Sequence, residues 1–316
     1  MKDKKIAVLG GGTGMSVLLR GLKKLPFDIS AIVSVCDDGQ STGRLREEFN
    51  VPAVGDIRKV IVSLSNDSKQ FDKLFHYRFD TSSDLDGHAL GNLLLIGASD
   101  IAGNMSDGVE LINDLLSLKG KVIPLTEDNV TLIGKMEDNS IIEGEHHITE
   151  DKRMIQEVYY KEKPTVTPEA LMAIREADAI ILSMGSLFTS IMPNLICEDI
   201  QKEIENSKAK IIYVCNIVTQ PGETDDFAVS HHIKLLNKYL GRRNIDAVVV
   251  NTGAIAPEIV EKYATTEQKD LVEVDYDNLK KLNLDLIKDN YVIIEDGIIR
   301  HNAIKVAIDI FSYLMN

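Results

Sequence analysis

Five times along this chain a short run of β-branched and other apolar residues ends in a small polar loop, and a helical pattern then begins. The runs are Ile6 to Leu9 into Gly10-Gly11-Gly12-Thr13-Gly14, Ile29 to Val35 into Cys36-Asp37-Asp38-Gly39, Ala179 to Met184 into Gly185-Ser186, Ile211 to Cys215 into Asn216, and Ala247 to Val250 into Asn251-Thr252-Gly253. Such alternation predicts an α/β fold, a doubly wound, mostly parallel Rossmann-like sheet with helices on both faces. Strands of a parallel sheet point the same way, so all five loops gather along one rim, where open α/β folds bind ligands. With 316 residues and 44% hydrophobic content, a single α/β domain over 1–316 is expected. At about 121–160 the pattern changes. Val122-Ile123-Pro124, Val130-Thr131-Leu132-Ile133 and Ser140-Ile141-Ile142 read as short strands joined by Asp, Asn and Gly turns, which predicts a small antiparallel β insertion or edge.

The intervening helices have legible starts in places. Thr167 is placed to cap a helix with Pro168 at its first position and Glu169 in its first turn, after which Leu171, Ile174 and Ala177 share one face. Phe227 to Leu240 and Ala303 to Leu314 read as helices without an equally clear start.

Charge and cysteine usage narrow the function classes. A formal charge of -14 opposes tight binding to nucleic acid or an anionic membrane, because both need neutralising cations. An anionic ligand must then be held by local dipoles, arginines or a metal. The basic Met1 to Lys5 leads only into Ile6 to Leu9, too short for a signal-peptide core, and no run approaches membrane-spanning length. Cys36, Cys197 and Cys215 are scattered and odd in number, which indicates neither a disulfide framework nor a zinc site. A reducing cytoplasm is the expected location.

The acidic loop carries the densest chemistry. Asp37 and Asp38 suit a hard cation such as Mg²⁺, while Gly39, Ser41, Gly43, Arg44 and Arg46 offer backbone N–H groups, hydroxyls and guanidinium forks suited to phosphate. Asp56, in Gly55-Asp56-Ile57-Arg58, brings a further carboxylate and Arg58 to the start of an apolar helix, where Asp56 is either a metal ligand or a helix cap. Gly11, Gly12, Thr13 and Gly14 open the first helix and can seat a phosphate on its N-terminus. The loop lacks the Walker lysine and, with Met15 in last place, departs from Gly-x-Gly-x-x-Gly, so no NAD or other redox cofactor is expected. His88 and Asn92 read as one helical turn apart on a shared face, with His88 either an acid or phosphate donor or a helix cap. His146-His147 and His231-His232 have no metal-ligand spacing and read as surface or structural pairs.

Further along the expected rim, Gly185 and Ser186 follow the third run. Asn216, Thr219, Gln220, Gly222, Glu223 and Thr224 supply amides and hydroxyls suited to a ribose, base or sugar, or else form a hydrogen-bonded turn around Pro221. Tyr263, at the end of a helical segment, either stacks on a base or packs at the domain edge. Arg300, read with His301 as the start of the last helix, either meets a diphosphate or makes a surface ion pair.

Six motifs in order now carry a resemblance. Gly-Gly-Thr-Gly, Asp-Asp-Gly-x-Ser-x-Gly-Arg-Leu-Arg, Gly-Asp-Ile-Arg, Gly-His-x-Leu-Gly-Asn-Leu, Gly-Ser-Leu-Phe-Thr-Ser-Ile-Met-Pro-Asn-Leu and Asn-Ile-Val-Thr-Gln-Pro-Gly-Glu-Thr span Lys5 to about His301. Together they resemble the 2-phospho-L-lactate transferase superfamily, and most of all its bacterial gluconeogenesis factor branch. The transferase branch moves a phospholactyl group from a guanosine diphosphate carrier to a deazaflavin, with Mg²⁺ on aspartates that match Asp37, Asp38 and Asp56. The gluconeogenesis factor branch is associated with UDP-sugars such as UDP-N-acetylglucosamine, with cell-shape maintenance and with carbon-source-dependent growth. The resemblance thus implies a UDP-sugar or related nucleotide-linked metabolite as ligand, cell-envelope regulatory proteins as partners and an oligomer as an open possibility. Gln40, Thr42, Met184 and Phe188 depart from the residues common in that pattern, but none removes a carboxylate or an arginine.

Overall fold

The structure, a computed structural model, describes residues 3–66 and 69–316. In chain order its strands are β1 (Lys4–Gly10), β2 (Phe27–Val33), β3 (Lys121–Pro124), β4 (Leu132–Met136), β5 (Ile141–Glu143), β6 (Ile155–Tyr160), β7 (Ala179–Leu182), β8 (Lys210–Val214), β9 (Ala247–Asn251), β10 (Asp285–Asp289), β11 (Val292–Glu295) and β12 (Ile298–His301). Seven of them form one sheet in the order β10-β9-β8-β7-β1-β2-β3, with every pairing parallel. Strands β4 to β6 form a separate antiparallel sheet, and β11 with β12 a hairpin.

The strand order explains both the core and the site. From β1 the chain adds β2 and β3 on one side, whereas from β7 it adds β8, β9 and β10 on the other. Crossovers between parallel strands are right-handed, so the crossover helices of the two halves fall on opposite faces, and the last helix, Ala303–Met315, returns to the face of the first. Helix α1 (Gly12–Leu22) packs against α3 (Val54–Leu64) and against Ala303–Met315, while Pro168–Glu176 and Glu198–Asn206 pack on each other. Helix α2 (Gln40–Phe49) follows the acidic loop. Covered on both sides, the central strands read as unbroken apolar runs: all four residues of β7 are fully buried, as are Ala7, Val8 and Leu9 of β1. Each Val, Leu or Ile side chain so buried stabilises the fold by about 1.5–3 kcal/mol before chain entropy is counted.

The five expected strands are all present and parallel, and Thr167 caps its helix by accepting from the Ala170 N–H. Three details differ from the sequence expectation. Lys121–Pro124 is the parallel edge strand of the main sheet, paired with β2, because three apolar residues are too few for periodicity to separate a parallel from an antiparallel strand. The opposite edge, β10, has the sequence Asp-Leu-Ile-Lys-Asp, whose half-polar alternation hid a parallel strand. Arg300 and His301 close β12 rather than open the last helix, which begins at Ala303 with Asn302 as its cap. Among the described residues, no helix is long and apolar enough to cross a membrane.

Candidate functional site

The direction of strand addition reverses between β1 and β7, and at such a switch point the loops leaving the two carboxyl ends part to leave a crevice. Here the crevice is a cleft of about 390 Å³ walled by the loop after β1, the loop after β7 and the segment 216–220. Gly11 is extended and makes no side-chain cap, so the first turn of α1 offers Thr13 and Gly14 to the cleft. Gly12 has φ +64°, which favours glycine. A Cβ on Gly14 would lie 2.1 Å from the Met184 carbonyl oxygen, so only glycine lets α1 approach the end of β7 this closely. Asn216 fixes the opposite wall: its Oδ1 accepts from the Gly185 N–H at 3.0 Å and its Nδ2 donates to the Gly185 carbonyl at 2.7 Å.

Eight residues singled out from the sequence thus line one cleft: Gly11, Thr13, Gly14, Gly185, Ser186, Asn216, Thr219 and Gln220. Two polar residues, Ser190 and Lys269, line it without having been anticipated, and His301, read with Arg300, lines it as the end of a strand instead of the start of a helix. Lys269, paired with Glu267 at 2.8 Å, brings a cation to the wall. It arrives because Thr219 and Asp270 exchange two hydrogen bonds, a long-range pairing with no local sequence signal. His301 is buried and held neutral, its basicity pushed down to about 4 by burial, and its Nε2 donates to the Cys215 carbonyl at 3.1 Å.

The acidic loop lies beside this cleft. Asp37 accepts from the Gly39 N–H at 3.0 Å and from the Thr42 hydroxyl at 3.2 Å. Asp56 sits at the base of the Gly11 and Gly12 turn, within 2.7 Å of where a Gly11 Cβ would be. Burial raises its carboxyl, Lys59 at 2.8 Å opposes that, and the charge of Asp37 adds to it. Glu145, at the start of the short helix Glu145–Glu150, completes the group. Its carboxyl is pushed up to about 7 by burial and by the charge of Asp37, against hydrogen bonds from Thr189 and Thr149. Nothing in the local sequence marked Glu145, because the insertion folds back over the loop only in three dimensions.

Asp38 is used differently. Its Oδ1 accepts from the His146 N–H at 2.7 Å and caps that same short helix, so Asp38 ties the insertion to the loop. Among the described residues, no group of three or more His, Cys, Asp or Glu side chains is arranged to hold a metal ion. Asp37 and Asp56 nevertheless suit Mg²⁺, which takes one or two carboxylates and completes its shell with water and phosphate oxygens.

The remaining candidates divide by what they already touch. Arg46 is buried and commits its donors to the carbonyls of Cys36, Asp37 and Val130 and to Asn129, holding the loop's shape instead of facing a ligand. Glu223 is buried, takes the Ser186 hydroxyl at 2.8 Å and the Phe188 N–H at 3.2 Å, and anchors the turn after Ser186 from behind. Thr224 accepts from the Gln220 N–H, and Gly222 abuts the backbone of Asp151 to Arg153 beneath the insertion. Tyr263 is buried with its hydroxyl accepting from the Ile299 N–H at 2.8 Å, so its ring packs in the fold and does not face the cleft. Arg300 lies between Ile299 and His301, which both line the cleft; strand alternation turns it to the other face, where it pairs with Glu295 at 3.5 Å.

Ser41, Arg44, Arg58, His88 and Asn92 form a separate group. His88 precedes the helix Leu90–Ala102 instead of sharing a face with Asn92, yet both converge on Ser41, whose Oγ lies 3.0 Å from His88 Nδ1 and 3.3 Å from Asn92 Nδ2.

Comparison with known proteins agrees with the architecture. The family model of 2-phospho-L-lactate transferase CofD matches residues 6–292. A gluconeogenesis factor of Bacillus subtilis is 43% identical over 304 residues, 96% of each chain, and one of Halalkalibacterium halodurans is 42% identical over 308 residues, covering 97% of this chain and 95% of that one. A crystal structure of a Bacillus halodurans protein superposes with a TM-score of 0.94 at 40% identity over the full length of both chains.

Proposed function

This chain belongs to the 2-phospho-L-lactate transferase CofD family, in its gluconeogenesis factor branch, and on that premise we propose that it is a nucleotide-sugar-binding protein whose ligand occupies the cleft between β1 and β7. The observation that carries this reading is the start of α1, held against the end of β7 by a contact at Gly14 that only glycine allows, opening on a 390 Å³ cleft with Lys269 on its wall. A diphosphate there meets the helix N–H groups, the positive end of the helix dipole and one ammonium, a set suited to an anion inside an acidic protein. The volume falls within the range of small-molecule sites. Thr219 and Gln220 reach the sugar or base, and UDP-N-acetylglucosamine is the ligand the family branch suggests. Asp37 and Asp56 would hold Mg²⁺ against the phosphates; the ion, when bound, supplies charge neutralisation. Ligand occupancy then controls contacts with cell-envelope regulatory proteins in the cytoplasm and, through them, cell shape and growth on particular carbon sources.

A second reading, transfer of a phosphoryl-linked group as in the transferase branch, is favoured by Glu145. A carboxyl that titrates near 7 beside the cleft is matched to accept a proton from an attacking hydroxyl. Calorimetry with UDP-N-acetylglucosamine, GDP and NAD, each with and without Mg²⁺, tests the ligand. Mass spectrometry of the nucleotide after incubation with protein and cell extract tests turnover. Tight binding with the nucleotide returned intact supports the binder, and protein-dependent release of UDP or formation of a conjugate overturns it.

A further inference from the structure

Half of the ten arginines in this acidic chain are matched by carboxylates: Arg153, Arg175, Arg242, Arg243 and Arg300 each lie against an Asp or Glu. Of the other five, three lie within electrostatic reach of His88 or of one another. Among the described residues Arg44, Arg58 and Arg78 have no ion-pair partner, and they donate only to the backbone carbonyls of Asp86 at 2.5 Å, Phe75 at 3.1 Å and Gly87 at 2.6 Å. Arg44 and Arg78 lie beside buried His88, whose basicity is lowered by burial and by their charges, with Glu48 pulling the other way. Arg58 is likewise lowered by burial and by Arg78, with Asp37 and Asp56 as its nearest opposing charges. Arg58, buried within reach of the Arg78 charge, is the cation that an oxyanion would relieve most.

Two further observations point to an occupant. Arg58 is 4% exposed and Asn92 1% exposed, yet Arg58 Nε and Asn92 Oδ1 are buried without any hydrogen-bond partner. An unmet buried donor or acceptor costs about 1–3 kcal/mol, which a bound group can recover. In addition, α2 and the helix Leu90–Ala102 both begin without a side-chain cap, at Gly39 and Ala89, and Ser41 links the two starts through His88 and Asn92. The positive ends of two helix dipoles therefore meet at Ser41, beside His88.

We propose that Arg44, Arg58, Arg78 and His88 form a second anion seat, separate from the nucleotide cleft, which takes the phosphate group of a small phosphorylated metabolite. No residue of this group lines the cleft. Three guanidinium forks and two helix starts match a dianion better than a single carboxylate, and the unmet Asn92 Oδ1 calls for a donor on the same ligand, such as a hydroxyl. Asp56 and Asp37, within electrostatic reach of Arg58, lie between the two seats.

The test is calorimetry of the full chain with two probes, inorganic phosphate and glycerol 3-phosphate, each titrated with and without saturating UDP. Binding of either probe, unaffected by UDP, supports the seat, and the tighter probe identifies its source as a free ion or an ester. Arg44 and Arg78 are exposed, so Arg44→Ala and Arg78→Ala should fold; each should weaken the phosphate probe at least tenfold, and Arg78→Ala should leave UDP affinity unchanged. Failure of both probes to bind, competition with UDP, or wild-type affinity in folded Arg78→Ala would overturn the proposal. Absence of UDP binding alone would instead count against the nucleotide reading and leave the phosphate titrations standing.

Discussion

Replacing Gly14 by alanine perturbs stability and ligand affinity through one contact. In an ordinary helix interior the change gains about 0.5–1 kcal/mol, because alanine loses less chain entropy. Here the new Cβ would sit 2.1 Å from the Met184 carbonyl oxygen and 2.6 Å from its carbon, about 1.3 Å inside the 3.4 Å at which ordinary contact begins. The obstacle is backbone, so no rotamer change relieves it. Helix α1 cannot slide freely either, because Met15, Leu18, Leu19 and Leu22 are all fully buried. Overpacking of this kind costs about 1–3 kcal/mol, enough to leave a net loss of about 1–2 kcal/mol after the helix gain and a fall of several degrees in Tm. The displacement also draws the Thr13 and Gly14 N–H groups about 1 Å from a bound diphosphate, so affinity for UDP-N-acetylglucosamine should fall at least tenfold. Gly97 provides the control: a Cβ there meets nothing within 4 Å, so Gly97→Ala should raise Tm slightly and leave binding unchanged. Thermal melting by circular dichroism and titration calorimetry read both quantities. A Gly14→Ala protein as stable and as tight-binding as the parent would refute both the close approach and the role of this helix start.

Asp37→Asn should weaken the Mg²⁺ dependence of nucleotide binding measured by calorimetry, whereas Asp38→Ala should leave it intact and cost about 1 kcal/mol in denaturant melts by uncapping Glu145–Glu150. Arg46→Met should destabilise the fold by at least about 3 kcal/mol in urea titrations, since it strands the buried carbonyls of Cys36 and Val130 together. His301 and His232 are both pushed down to about 4 by burial, so protonation favours the unfolded chain. Stability from these two groups is complete above the unfolded value near 6.5 and is lost as pH falls from there toward 4, at about 2 kcal/mol per group by pH 5. His301→Gln, which keeps a donor for the Cys215 carbonyl, should flatten that decline in denaturation measured between pH 7 and 5.

What the sequence revealed and what it hid follow from the range over which each feature is specified. The strand ends and the glycine loop were legible because a parallel strand buried on both faces needs a continuous apolar run, and a close helix approach needs glycine within a few residues of that run's end. Lys269 and Glu145 were hidden because each reaches the site through tertiary pairing: Thr219 with Asp270 for the first, Asp38 with the His146 backbone for the second. The arginines show the limit of reading residue type alone. Arg46 and Arg58 are both buried and both follow a carboxylate-bearing turn, so as letters they are equivalent candidates for phosphate. Their neighbours separate them: Arg46 meets acceptors that saturate it and becomes a strut of the loop, while Arg58 keeps a buried Nε with no partner within reach of the unpaired Arg78 guanidinium. A buried cation with unmet donors is costly in an empty protein and favourable in an occupied one, so the energetics of Arg58 depend on a ligand in a way that those of Arg46 do not.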